Sequence, residues 1–101
     1  MNNETAMEMP RYRSHKEVWA LKIKAVVDPT EPGNETDGSR ILEFWDRRYA
    51  PMRVNHEYVR KHSPQAGGYY VVYPDGYKSW SPAEAFEDGY SLVSTGAPSV
   101  G

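Results

Sequence analysis

Strict alternation of apolar and polar residues first appears at Trp19. Trp19, Leu21, Ile23, Ala25 and Val27 fall on one face of a period-two pattern, with Lys22 and Lys24 on the other. The pattern predicts a strand over 19–27, stopped by Asp28-Pro29. Residues 28–39 hold two Pro, two Gly and four acidic side chains without a base, so they read as a loop. Asp37-Gly38 is a turn signal into a second strand over 40–46. A short edge strand is expected over 49–54, because Pro51 removes a ladder donor. Asn55 is placed to cap a helix over 56–62, and Ser63-Pro64 stops it. Two β-rich runs around Pro74-Asp75-Gly76 predict a hairpin spanning 68–80, and both its faces carry apolar or aromatic residues. That hairpin should therefore be central in the sheet. Ser81-Pro82-Ala83-Glu84 has the form of a capping box, with Ser81 as cap and Pro82 at the first helical position. Phe86 then turns back to the sheet, Gly89 ends the helix, and 90–93 form a last strand or docking segment.

These elements define an α+β fold. A small antiparallel sheet or partial barrel of four to five strands carries one or two short helices. Residues 1–11 are expected to be a disordered lead-in, 12–93 a single domain and 94–101 a disordered tail, since both ends are polar and lack periodicity.

Composition narrows the chemistry. The 101 residues allow one small domain. Twelve Lys and Arg against fourteen Asp and Glu give a net charge of -2, which argues against a strongly basic nucleic-acid protein. There is no Cys, so disulfides, thiol nucleophiles and thiolate metal sites are excluded. No apolar run is long enough to span a membrane, and the polar opening MNNETAMEMP does not read as a signal peptide. Asn3-Glu4-Thr5 and Asn34-Glu35-Thr36 match the glycosylation pattern and are read as chance for that reason.

His15, His56 and His62 lack the spacing of a metal set, so no metal or other cofactor is expected. Ser14-His15 and His62-Ser63 are neighbours in sequence, which does not make a catalytic dyad. Glu84, Glu87 and Asp88 fit a solvated helix face better than a carboxylate pair. The chain is therefore read as a non-enzyme. Aromatic residues nonetheless reach 13%, an excess over what a small core needs. Trp45, Tyr49, Tyr70, Tyr77 and Trp80 are the candidates for contact with a protein partner. Arg47, Arg48 and Tyr90, with Trp80, are the candidates for a small nucleotide ligand. Arg11, Arg13, Lys22 and Lys24 with Trp19 are a third possibility, for single-stranded nucleic acid.

The segment from Tyr12-Arg13-Ser14-His15-Lys16 to Ile23 resembles a group of small bacteriophage and prophage proteins of unknown function. So do Tyr49-Ala50-Pro51, Val59-Arg60-Lys61-His62 and the run from Gly67-Gly68-Tyr69 through Phe86-Glu87-Asp88-Gly89-Tyr90. The resemblance covers most of the expected domain. It implies a phage-type accessory protein in the bacterial cytoplasm and assigns no site residues; the surplus of aromatics is what points to a host or phage protein as partner, or to a homo-oligomer. Asp75-Gly76, Trp80 and Asp88 with Tyr90 are similar, at different spacings, to features of phage proteins that sequester cyclic ADP-ribose signals of host immunity. That likeness implies a nucleotide sponge.

Overall fold

A computed structural model describes residues 9–13 and 17–94. Within them the chain runs β1 (Arg11–Arg13), β2 (Glu17–Val27), β3 (Arg40–Phe44), β4 (Met52–Val54), α1 (His56–His62), β5 (Tyr69–Val72), β6 (Lys78–Ser81), α2 (Ala83–Gly89) and β7 (Ser91–Ser94). Every strand pairing is antiparallel. β2 is the hub. One of its edges takes β1 through Tyr12↔Val18 and then β3 through Ile23↔Phe44, and the other takes β5 through Ala20↔Val71. β7 pairs with β1, β4 with β3, and β6 with β5.

The ribbon β4-β3-β2-β5-β6 curls into half a barrel. β2, β3 and β4 are consecutive, and β5 returns through α1 to lie beside β2, which is Greek-key connectivity. The expected α+β class, with a curled antiparallel sheet and two short helices, is what the chain adopts.

Both faces of β2 are buried through its first half. On the inner face Leu21 and Ile23 meet Leu42, Phe44, Val54 and Tyr70, with Tyr58 and Val59 of α1 packed against them. On the outer face Val18 and Ala20 meet Tyr69, Val71 and Phe86. Phe86, 1% exposed, stacks on Tyr69 at 4.2 Å and meets the edge of Tyr12 at 4.7 Å between ring centroids. Burying that ring contributes roughly 1.5–3 kcal/mol.

The outer-face layer corrects the expectation that only the Trp19, Leu21, Ile23 face is apolar. The far end of the strand needs a second correction. Between Ile23 and Ala25 the β2–β3 register shifts by one residue, a bulge on β2. A one-residue slip exchanges the faces. Val26 therefore packs against the inner core and Val27 is 39% exposed.

Local signals fared better. α1 spans the expected residues, and Asn55 Oδ1 accepts from the Tyr58 N–H at 2.9 Å. Ser63 closes the helix in the left-handed region at φ 46°. In the expected hairpin, β5 is central while β6 lies at the sheet edge, paired only with β5 among the described residues. The capping box does not form. Ser81 is still in the ladder opposite Tyr69, so Pro82 becomes the cap of α2, with no side-chain cap bond.

The ordered chain also starts earlier than residue 12. Met9 packs against the inner core, the Pro10 carbonyl accepts from the Ala20 N–H at 2.9 Å, and Arg11 is in β1. The rest of the expected lead-in (residues 1–8) and the tail from residue 95 lie outside the described residues, as do Ser14, His15 and the sequon at Asn3.

Phe86→Ala should lower unfolding free energy by about 3–5 kcal/mol and Asn55→Ala by about 1 kcal/mol, read from urea unfolding curves. Equal losses would contradict a core centred on Phe86.

Candidate functional site

β3 ends by alternation. Phe44 points inward at 6% exposure, and Trp45 points outward at 58%. The backbone of Trp45 is held all the same, since its N–H donates to the Lys22 carbonyl at 3.1 Å. A tight turn follows. Asp46 Oδ1 accepts from the Arg48 N–H (3.1 Å) and Nε (3.0 Å), and Asp46 Oδ2 accepts from an Arg48 terminal nitrogen (2.8 Å). The Tyr49 N–H closes the turn on the Asp46 carbonyl at 3.1 Å. Hydrogen bonds from Arg48 hold the Asp46 carboxyl below its ordinary value. The β2–β3 pairing sets Lys24 beside this turn, with its Nζ 5.1 Å from the Trp45 ring centroid. Arg47 is exposed on the same turn. The arrangement offers a large apolar ring on a fixed backbone, with one cation over the ring and a second exposed on the same turn.

The other expected partner residues divide. Tyr77 is 44% exposed on the β5–β6 turn, where Gly76 takes φ 92° and Asp75 Oδ1 accepts from the Tyr77 N–H at 2.9 Å. Lys61 Nζ lies 5.0 Å from its ring and His62 Nε2 lies 3.4 Å from its hydroxyl. Tyr70 is 3% exposed and belongs to the core, which removes it from any contact surface. Tyr49 is half-buried against the inner core, with Arg48 5.8 Å from its ring centroid. Trp80 is half-buried too. Its indole covers Gly68, where an added Cβ would lie 2.5 Å from ring atoms. The Trp80 Nε1 is buried with no hydrogen-bond partner among the described residues.

The proposed ligand residues are not gathered. Trp80 packs on the inner core with Tyr70, whereas Tyr90 stacks on Phe86 at 4.6 Å on the outer face. Arg48 is committed to Asp46. The basic residues considered for nucleic acid are largely matched by acids. Arg11 and Arg13 reach Glu17 at 3.3 and 2.6 Å, and Lys22 reaches Glu87 at 3.2 Å. Glu87 also accepts from the Tyr69 hydroxyl at 2.7 Å, and these bonds hold its carboxyl below the ordinary value.

Loop 28–39 encloses a shallow cavity of about 360 Å³, lined by Glu31, Asn34, Glu35 and Asp37 with Arg53 on its wall. Among the described residues no group of three or more His, Asp or Glu side chains is arranged to hold a metal ion. None of their helices is long and apolar enough to cross a membrane. No family model, curated protein or solved structure matches the chain.

Lys24 is the member of the site that sequence reading assigned elsewhere. Alternation put it on a lysine face with Lys22, and the β2–β3 pairing sets that face beside Trp45.

His62 gives the α1–β6 contact a pH dependence. Burial pushes its imidazole below the ordinary 6.5, and Lys61 acts in the same direction. The folded state then binds this proton less readily than the unfolded chain. Its contribution is complete above the ordinary value and is lost as pH falls through that value toward the lowered one. Carboxylates held low, such as Asp46 and Glu87, act only at more acid pH. The urea midpoint should fall from about pH 7.5 to about pH 5.5, and His62→Gln should flatten that segment. A wild-type midpoint that stays level would refute the assignment.

Proposed function

We propose that the protein is a non-enzymatic accessory protein that acts by binding a protein partner through the Trp45 turn. The observation that carries this reading is Trp45 itself, 58% exposed on a backbone that hydrogen bonds fix in place. Folding gains little from a ring so placed, whereas Trp at the centre of an interface is among the strongest single contributors to binding. Lys24 and Arg47 add positive charge at the rim, which favours a partner with acidic groups around an apolar pocket. The resemblance to small phage and prophage proteins supports a bacterial cell as the setting, with a host or phage protein as partner.

The half-barrel plan also favours a second reading. Partly open Greek-key barrels of five strands include the OB type, which binds oligonucleotides on its second and third strands and nearby loops. The corresponding loop here is 28–39, whose four acidic residues repel phosphate. That charge favours the protein partner over nucleic acid. The nucleotide-sponge reading lacks support from geometry, because Trp80 and Tyr90 sit on opposite faces of the sheet.

A photo-crosslinking amino acid at position 45, expressed in a bacterial host, should give a discrete protein adduct that the same group at exposed Glu84 does not. Absence of an adduct specific to position 45 would remove this reading. Trp45→Ala should leave the urea midpoint nearly unchanged, within about 0.5 kcal/mol, as expected for an exposed side chain.

A further inference from the structure

We infer that the partner seated on the Trp45 turn is the acidic loop 28–39 of a second copy of this chain, in a head-to-tail contact. The inference rests on the reading of Trp45 as a protein-binding residue and names the protein.

The two surfaces are complementary in charge. Asp28 faces Arg40 at 3.8 Å, and Asp37 accepts from the Ser39 hydroxyl at 2.6 Å. Glu31 and Glu35 remain exposed between them, in no ion pair among the described residues. On the other surface Lys24 is in no ion pair among the described residues and lies over the Trp45 ring, and Arg47 is exposed. Two carboxylates can thus meet two cations around an apolar ring.

The loop is shaped in advance. Asp28 Oδ1 accepts from the Thr30 N–H at 2.9 Å, the Glu31 carbonyl from the Asn34 N–H at 3.1 Å, and Thr36 Oγ1 from the Gly38 N–H at 3.0 Å. Pro29 and Pro32 limit its freedom further. Less entropy is then lost when it docks.

Within one chain the two surfaces lie at opposite ends of the β2–β3 ladder. Loop 28–39 leaves β2 beyond the Val27↔Ile41 pair, whereas Trp45 follows the Ile23↔Phe44 pair at the other end of the same ladder. Those pairs are separated by roughly 10–13 Å at about 3.3 Å per residue, and the loop lies against Arg53 and His56 instead. We assign the contact to two different copies, where it closes as a two-fold pair if it is made reciprocally and runs on as a ring or open chain if it is not. A net charge of only -2 leaves little bulk repulsion to oppose it.

Light scattering behind a sizing column tests the contact directly. At low salt the mass should rise with concentration above the 11.5 kDa of one chain, and about 0.5 M salt should return it to that value. Glu31→Lys with Glu35→Lys, and separately Lys24→Glu with Arg47→Glu, should each abolish association. An equimolar mixture of the two double variants should restore it, because each acidic surface then meets a basic one. Far-ultraviolet circular dichroism matching the wild type verifies that both variants are folded. A wild-type chain that stays monomeric at low salt overturns the inference. So does association that survives either charge reversal, or a mixture that fails to associate. An adduct at position 45 with a foreign protein, from a chain that stays monomeric, overturns the second-copy contact and leaves the protein-partner reading standing. Absence of any adduct specific to position 45 overturns both.

Discussion

Because β2 is apolar on both faces through its first half, neither face can be left to water, and each needs its own cover. The half-barrel supplies one cover, by folding β3 and β4 back over Leu21 and Ile23. The other comes from α2, which brings Phe86 down on Val18 and Ala20. The outer cover is short, and it gives way to charge at Lys22. There Glu87 takes the ammonium and the Tyr69 hydroxyl together, so the border between apolar and wet surface is a pair of charge-assisted bonds. Tyr12 and Tyr90 flank Phe86, so β1 and the residue that leads into β7 are tied to the same layer.

The bulge is what turns this strand into a curl. One extra residue on β2 sharpens the local twist, bends the ribbon toward β4, and sends Val26 in place of Ala25 into the core. The bend is not enough to close the barrel, and β4 and β6 remain unpaired with each other. α1 covers the seam on the β6 side. The Tyr58 hydroxyl donates to the Ser79 carbonyl at 2.7 Å, and the His62 ring lies against Tyr77. An exposed strand edge is a template for unwanted pairing, and a helix laid along it is a common remedy.

What could be read from the sequence was what local chemistry decides. An Asn before a helical run and a Pro-Asp-Gly between β-rich runs act within a few residues, and α1 and the β5–β6 hairpin formed where they indicated. The bulge has no such signature. Nothing in Lys24-Ala25 marks an extra residue, because its position follows from how β3 must lie over the core. Tyr69 and Tyr70 illustrate the same limit. Both faces of β5 are buried, so alternation separates the two rings without saying that neither is free. Ser81 shows competition between levels. Its sequence context suits a cap, but a ladder place opposite Tyr69 holds its backbone extended. In the candidate site, Trp45 and Arg47 were legible as exposed candidates, while Lys24 depended on tertiary register.

The fold also separates residues that structure needs from those it does not. Phe44 and Tyr70 fill the inner core, and Tyr12, Tyr69, Phe86 and Tyr90 form the outer stack. Tyr58 seals the seam and Trp80 covers Gly68. Tyr77, although exposed, is engaged by Lys61 and His62. Trp45 has the Lys24 ammonium over its ring, but no such structural task follows from its position. A tryptophan held rigid, bordered by positive charge and set at the far end of a hairpin from a preformed acidic loop costs solubility and adds little to stability. Those properties are what the proposed protein-binding role asks of it. The β2–β3 ladder that carries both surfaces fixes the distance between them, so the fold itself sets the geometry of any assembly built from the two.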